Sequence, residues 1–309
     1  MKKNDLKNAL KREAPFFMIM PALIWQVLFF FVPFFIILGL SFVTFYGPVI
    51  GQIVTFNYYL SLCDNAHVRI VARSLIFAVL NAIFCLICAY PVAYFLARRI
   101  TRWKNFFLFF LILPFWTNML IQIHAWFFIL ERNGLINTIL LKLGIITTPL
   151  HLANNIGSVF LLMVYCYMPF MIMPLYSILE KLDQRLIESS YDLGANNWQT
   201  FFNVTLPLSL PGIKTGLFLV FVPSFGEFVI PALMGGSKHM FVGSLISHYF
   251  LMAFDVQKGA AFTIASGLVL LLVFVLCNWF FSKKMRTTKG PSYAAFTPES
   301  LPSDVNSGE

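Results

Sequence analysis

Long apolar runs separated by short basic segments dominate this sequence of 309 residues. Because the hydrocarbon core of a bilayer is about 30 Å thick and a helix rises about 1.5 Å per residue, roughly 20 apolar residues can cross it. Six runs are long enough, at approximately 15–43, 71–97, 106–130, 158–179, 208–233 and 261–281. The sequence therefore predicts an all-α membrane protein with six transmembrane helices that lie in lipid.

The composition agrees with a membrane protein and argues against most soluble classes. Hydrophobic residues make up 59% of the chain and charged residues only 11%, whereas a soluble domain carries about 25% charged residues. The net charge of +9 arises from basic clusters between apolar runs, which is how membrane topology is encoded, so we expect no nucleic-acid partner. Four of the five cysteines lie inside apolar runs, which favours core residues over disulfides or a metal site.

The distribution of Lys and Arg predicts the orientation, because cytoplasmic loops carry the excess of basic residues. Fifteen basic residues, Arg98 and Lys104 among them, fall on the side that holds both termini, and six fall on the other side. Both termini are therefore predicted to be cytoplasmic. We divide the chain into a cytoplasmic N-terminal segment (1–14), a six-helix domain (15–285) and a proline-containing cytoplasmic tail (286–309), which we expect to be disordered.

The stretch between the fourth and fifth runs, from Glu180 to Thr205, is polar but keeps a helical periodicity. Its apolar positions are Leu182, Leu186 and Leu193 before Gly194, and Trp198, Phe201 and Phe202 after it. This pattern predicts two short helices hinged at the glycine, each with an exposed apolar face. Such a surface is suited to a protein partner.

This stretch resembles the signature of binding-protein-dependent ABC importer permeases, which reads Glu-Ala-Ala, then Gly, then an apolar residue followed by x-Leu-Pro. The matching residues are Glu188, Ser189, Ser190, Gly194, Val204, Thr205, Leu206 and Pro207. Both serines replace alanines but remain small, so the helix can still approach a groove closely. The resemblance implies a coupling loop, at about 180–207, that inserts into a cytoplasmic ATPase, with Glu188 facing the ATPase and Gly194 forming the turn. The alternative is an ordinary amphipathic cytoplasmic loop.

Further segments resemble the spermidine/putrescine permeases, and among these the first of the two permeases of each system. They are Pro114-Phe115-Trp116-Thr117-Asn118, Tyr167-Met168-Pro169-Phe170, Met173-Pro174-Leu175-Tyr176 and Gly226-Glu227-Phe228-Val229-Ile230-Pro231. The resemblance covers about 70–285. It implies a type I ABC importer permease fold in the bacterial inner membrane, with a second six-helix permease, an ATPase dimer and an extracytoplasmic polyamine-binding protein as partners. Two alternatives are an ABC permease for another small solute, such as ferric iron or sulfate, and a secondary transporter that acts alone.

Glu227 is the only acidic residue well inside an apolar run. Because a charge there costs a few kcal/mol, such residues normally face a cavity or a partner. Nearby proline and glycine residues predict a broken helix, whose free carbonyls could line a path for a polycation. We expect this path to include Glu227 with the aromatic residues Phe225, Phe228 and Trp116, and also Asn118. Alternatively, Glu227 binds the partner permease and Asn118 bonds between helices.

The sequence contains no Gly-x-x-x-x-Gly-Lys-Ser/Thr phosphate loop, so we do not expect the chain to hydrolyse ATP itself. Paired carboxylates, a Ser-His-Asp set and a metal-ligand cluster are also missing from the sequence. We therefore predict a protein that is not an enzyme and needs no cofactor or metal. The lack of a detectable inverted repeat argues against an ion-coupled transporter.

Overall fold

The computed structural model describes residues 19–46, 49–100, 102–236 and 240–288. The predicted N-terminal segment 1–14 and nearly all of the predicted tail 286–309 lie outside the described residues. In chain order the described elements are α1 (Ile19–Leu40), β1 (Val43–Tyr46), β2 (Val49–Val54), α2 (Asn57–Leu62), α3 (Asn65–Arg98), α4 (Lys104–Trp116), α5 (Met119–Leu130), α6 (Leu135–Lys142), α7 (Ile156–Lys181), α8 (Gln184–Asp192), α9 (Asn197–Gly226), α10 (Val229–Met234), α11 (Val242–Met252) and α12 (Val256–Thr288).

Five of the described helices, α1, α3, α7, α9 and α12, are long and apolar enough to cross a membrane. A sixth span is obtained when α4 and the helical segment that follows it are taken as one bent pair. This agrees with the predicted all-α architecture. The sequence did not predict the antiparallel hairpin of β1 and β2, in which Val43 lies opposite Val54.

The helix predicted over 106–130 is not continuous, and the structure corrects this prediction. α4 ends at Trp116, and the segment that begins at Met119 is bent from it by 96°. Pro114 lies in the last turn of α4, where its ring cannot donate a backbone hydrogen bond. Asn118 then has an extended backbone, and its side chain accepts a hydrogen bond from Leu120 N–H at 2.8 Å. A new helix therefore starts at this point instead of the old one continuing.

The fifth predicted run also differs in its bounds. α9 begins at Asn197, well before the predicted start at 208, because Asn196 and Gln199 form a reciprocal capping box. The helix then continues through a π-helical turn at Phe201–Thr205 and ends at Gly226. The second of the two short helices predicted around Gly194 is thus the first part of this long helix. The break predicted near Glu227 is present.

The chain divides into two compact units. The first contains the described parts of Met1–Asn81, Thr117–Tyr165 and Phe221–Leu270, and the second contains those of Ala82–Trp116, Cys166–Val220 and Leu271–Glu309.

In the first unit, buried polar side chains join helices. Ser74 Oγ on α3 accepts a hydrogen bond from Val242 N–H at the start of α11, at 2.9 Å. Asn81 Nδ2 on α3 donates to Ser224 Oγ on α9 at 2.8 Å. Because unsatisfied polar groups are costly in apolar surroundings, such bonds hold helices in one register. They position the end of α9 just before the helix break.

In the second unit, small residues let α7 and α9 approach closely. A Cβ atom at Gly216 would lie 2.6 Å from Met171 Sδ on α7, closer than real contacts allow. The hydroxyls of Tyr90 on α3 and Ser209 on α9 are hydrogen-bonded at 3.1 Å. Small residues and interhelical hydrogen bonds are the usual means of helix packing in membranes, and here they anchor the part of α9 next to the predicted coupling loop.

Candidate functional site

The predicted coupling loop contains a short helix, α8, which ends in a glycine turn. Asp183 begins the helix, since its Oδ1 atom accepts a hydrogen bond from Arg185 N–H at 3.0 Å. Gly194 follows the helix with φ of +83°, and its N–H donates to Tyr191 O at 2.8 Å. L-residues with side chains rarely adopt this left-handed conformation. The turn that the sequence predicts at Gly194 therefore has a backbone that favours glycine.

The two serines of the Glu-Ser-Ser motif point in different directions. Ser190 is buried, and its Oγ atom is hydrogen-bonded to Thr200 Oγ1 on α9 at 2.9 Å. Ser189 is exposed and donates to Arg185 O within its own helix at 2.8 Å. Glu188 is also exposed. Glu188 and Ser189 are therefore accessible to a partner, whereas Ser190 ties α8 to α9 across the turn.

An apolar patch surrounds the turn. Its residues are Leu186, Tyr191, Leu193, Trp198 and Phe202, all of them exposed. Leu193 is 89% exposed and Trp198 is 72% exposed, and the Trp198 ring stacks on that of Phe202 with 6.0 Å between centroids. Because exposed large apolar side chains that cluster beside polar residues are typical of interaction sites, the apolar patch has the character of a protein-binding surface.

The Leu-Pro pair that ends the motif lies away from the apolar patch, inside α9. Leu206 and Pro207 are half-buried and follow directly after the π-helical turn. Leu206 N–H donates to Phe201 O, which closes this turn, and the missing N–H of Pro207 is tolerated just beyond it. The structure thus separates the predicted coupling residues into an exposed group at α8 and a helical group in α9.

Glu227 lies in the break between α9 and α10. Its Oε1 atom accepts hydrogen bonds from the backbone N–H groups of Val229 at 2.9 Å and Ile230 at 3.3 Å. The carboxylate therefore caps the N-terminus of α10, where a negative charge is favourable. α11 packs against this break so closely that a Cβ atom at Gly243 would lie 2.2 Å from Gly226 O. Sequence reasoning missed this capping role.

The other residues predicted for the substrate path have different environments. Phe228, beside Glu227, is 44% exposed, but Phe225 is only 3% exposed and faces the interior of the chain. Asn118 is exposed, and its side chain caps α5. Trp116 is 76% exposed and belongs to the second compact unit. Of the predicted aromatic residues near Glu227, only Phe228 offers a surface in this conformation.

A polar cleft of about 840 Å³ lies in the first unit. Its lining residues are Phe127, Glu131, Arg132, His151, Leu152, Ala153, Asn154, Asn155, Ala232, Leu233 and Gly236. Arg132 Nη2 lies 2.7 Å from His151 Nε2, so the arginine donates to an unprotonated imidazole nitrogen. Most of these residues come from the segment after α5, between Glu131 and Asn155.

Comparison with known proteins gives a family and close relatives. Residues 89–286 match the family model described as "Binding-protein-dependent transport system inner membrane component". The spermidine/putrescine transport system permease protein PotB of Escherichia coli (strain K12) is 40% identical over 253 residues, covering 80% of this chain and 92% of that protein. The Haemophilus influenzae PotB is 36% identical over 266 residues, covering 86% and 92%.

More distant matches are also informative. The molybdenum transport system permease protein ModB of Azotobacter vinelandii is 28% identical over 230 residues, covering 74% of this chain and 97% of that protein. Among solved structures, a bacterial ABC transporter that imports the acidic polysaccharide alginate matches with a TM-score of 0.70 and 17% identity, covering 90% of this chain and 99% of that chain. At this identity the likeness shows a shared fold and nothing about substrate.

Proposed function

The chain belongs to the family of binding-protein-dependent transport system inner membrane components and has the type I ABC importer permease fold, and on this premise we propose that it is a permease subunit of a polyamine importer. Spermidine and putrescine are the proposed cargo. A second six-helix permease completes the path through the inner membrane, and a cytoplasmic ATPase dimer supplies the energy. An extracytoplasmic binding protein delivers the substrate.

The observation that carries this proposal is the turn at Gly194 with its exposed apolar patch. Leu193 and Trp198 are exposed on either side of the turn at Gly194, which suits insertion into a groove of a partner protein. Since Ser190 and Thr200 join α8 to α9, a force applied to α8 acts on the long helix that follows. Energy from a separate ATPase can thus reach the membrane through this loop.

The choice of cargo rests on the relatives and on charge. Identity is 40% with PotB and 28% with ModB, which favours the cargo in the name of PotB. Glu227 places a carboxylate at a helix break within a span, and Phe228 is exposed beside it. A carboxylate next to an aromatic face attracts an organic cation. We assign Glu227 a double role, in which it caps α10 and faces the passing polyamine.

The proposed orientation rests on the distribution of basic residues. Both termini and the coupling loop face the cytoplasm, where the ATPase dimer binds, as the excess of basic residues on that side favours. The polar cleft that contains Glu131, Arg132 and His151 then faces the outside. Its mixture of charges suits docking of the binding protein better than binding of a polycation, which Arg132 would repel.

Uptake measurements test this function. Radiolabelled spermidine and putrescine are supplied to cells that lack this chain and to the same cells with the chain restored, and labelled ferric iron and sulfate serve as controls. We expect uptake of spermidine, putrescine or both to require the chain, and uptake of ferric iron and sulfate not to require it. Normal polyamine uptake in its absence, with loss of a control solute, would contradict the proposed cargo while leaving the permease assignment standing.

Co-purification tests the energy source. Pull-down of the tagged chain from detergent-solubilised membranes is expected to recover an ATPase and a second permease. A chain that is isolated alone and still moves polyamine in proteoliposomes without ATP would be a secondary transporter, and the proposal would be wrong.

A further inference from the structure

Two basic side chains, one on α3 and one on α4, bind the junction between α7 and α8. Arg98, the last residue of α3, donates from Nη1 to Gln184 Oε1 at 2.9 Å and from Nη2 to Leu182 O at 2.8 Å. Lys104, the first residue of α4, forms an ion pair with Glu180. The acceptors at 180, 182 and 184 thus lie within five consecutive residues. We call these four interacting side chains, Arg98, Lys104, Glu180 and Gln184, the junction bracket.

The junction needs such support, because little else sets the direction of α8. Only Leu182 and Asp183 connect α7 to α8, and α8 has just nine residues. A helix shorter than about 12 residues has little stability of its own in water. The side chain of Ser190 fixes the end of α8 to α9, and the junction bracket fixes its beginning.

Arg98 makes two specific hydrogen bonds, which a basic residue that only sets membrane topology would not need. Its guanidinium forms a fork with two donors directed at two acceptors, which a single ammonium group does not reproduce. Its Nε atom is buried and has no hydrogen-bond partner among the described residues. A buried donor without a partner carries a free-energy penalty, which the two hydrogen bonds to the junction help to offset. Arg99 and Arg102 carry the same charge in the same loop but are exposed.

We propose that Arg98 and Lys104 are positioning residues that hold the beginning of the coupling helix α8 and carry its movement into α3 and α4. The inference rests on the proposed function, in which the ATPase moves α8. Without the junction bracket, α8 can pivot about its two-residue link to α7, so that ATP-driven movement reaches α9 alone. With it, movement is shared among helices that are distant from α8 in sequence, through contiguous hydrogen bonds and an ion pair.

The first test compares Arg98→Gln with Arg99→Gln as a matched control. The whole importer is purified with each variant and reconstituted into proteoliposomes, and the number of polyamine molecules transported per ATP hydrolysed is measured. We expect Arg98→Gln to retain the ATPase but to lower this ratio about tenfold, as loss of charge-assisted hydrogen bonds of this kind predicts. Arg99→Gln is expected to keep the wild-type ratio.

The second test exchanges the charges of the ion pair. Lys104→Glu and Glu180→Lys are each expected to lower transport per ATP, and the double variant is expected to restore most of it. Rescue by the exchange separates a specific pair from a general need for positive charge. Membrane levels and bound ATPase are measured in every variant, so that failed assembly is recognised.

The possible outcomes distinguish failure of this inference from failure of the proposed function. A wild-type transport ratio in Arg98→Gln, or a double exchange that does not restore transport, overturns the junction bracket and leaves the proposed function intact. A wild-type preparation without any ATPase overturns the proposed function and this inference together.

Discussion

Ser190 Oγ and Thr200 Oγ1 lie 2.9 Å apart, on opposite sides of the turn at Gly194. The hydroxyls join the end of α8 to the beginning of α9 at a buried position. The permease signature has alanine at the position of Ser190, and alanine cannot form this hydrogen bond.

A double-mutant cycle measures this bond. Ser190→Ala removes the partner of the Thr200 hydroxyl, whereas after Thr200→Val the Ser190 hydroxyl still donates to Ile187 O at 2.7 Å. Loss of the bond between the two hydroxyls is expected to cost about 1 kcal/mol of stability in each variant. The double variant removes both hydroxyls and is expected to cost less than the sum of the two single changes. Thermal unfolding of the purified chain in detergent checks this. Strict additivity would show that the two hydroxyls do not interact.

Gly194 is needed for its backbone conformation and not for space. Nothing lies within 4 Å of a Cβ atom placed there, so only the φ of +83° opposes a side chain. The left-handed conformation costs an ordinary residue about 1–2 kcal/mol and asparagine less. We expect polyamine uptake to fall in the order glycine, asparagine, alanine. In Gly194→Trp we expect uptake to be abolished with normal membrane insertion, because the exposed ring would also obstruct the proposed contact of the turn with the ATPase. Equal uptake for Gly194→Asn and Gly194→Ala would contradict the role of φ.

Trp198 is expected to anchor the ATPase. Trp198→Ala removes a large exposed ring from the apolar patch, and aromatic anchors of this kind dominate binding energies, so about tenfold weaker retention of the ATPase is predicted. The matched control is Trp279→Ala on α12, which removes a ring that is also exposed. Binding is measured by titrating purified ATPase onto the reconstituted permeases. A loss of equal size in both variants would show that Trp198 has no specific role.

Glu227 variants separate the two roles assigned to this carboxylate. Glu227→Gln keeps an oxygen that can accept from Val229 and Ile230 N–H but removes the charge. We expect uptake to drop about tenfold in Glu227→Gln, because a desolvated charge pair with the cation is lost. Glu227→Ala is expected to lose stability as well. If Glu227→Gln transports normally and only Glu227→Ala fails, the carboxylate caps α10 and does not contact substrate.

The close approach of α11 to the helix break is a further point to test. Gly243→Ala would place a Cβ atom 2.2 Å from the backbone oxygen of Gly226, and such overpacking typically costs about 1–3 kcal/mol. Gly267→Ala on α12 is the control, since nothing lies within 4 Å of its Cβ position. Thermal unfolding is expected to show a lower midpoint for Gly243→Ala alone. An unchanged midpoint would mean that the break can shift freely.

Apolar run length predicted most of the fold, because the bilayer sets the length of a spanning helix. It did not show that the third run bends at Thr117 and Asn118, since residues on both sides of the bend are equally apolar. One proline in a run is weak evidence, as neighbouring helices often tolerate it. The start of α9 was predicted too late in the sequence, at 208 instead of Asn197. Its first turns mix polar and apolar residues, so they were predicted as a separate short helix after Gly194, and the spanning helix was counted only from 208.

Only part of the candidate site could be predicted from the sequence. Glycine at 194 and the apolar residues around it follow a local pattern, so the turn could be predicted. The contacts of Arg98 could not, because its partner Gln184 lies 86 residues away and a basic residue in this loop already has an explanation in topology. Glu227 was recognised by its rarity, but its capping bonds depend on a break whose geometry needs coordinates.

The continuity of α9 has a consequence for how this subunit can work. The helix runs for 30 residues from Asn197 to Gly226, or about eight turns, so it begins beside the turn at Gly194 and ends at the break that holds Glu227. Because its backbone hydrogen bonds are continuous apart from the π-helical turn at Phe201–Thr205, no loop separates the Gly194 turn from the residues that precede Glu227. If the proposed function holds, one uninterrupted helix therefore connects the segment that we propose binds the ATPase with the carboxylate that we propose faces the polyamine.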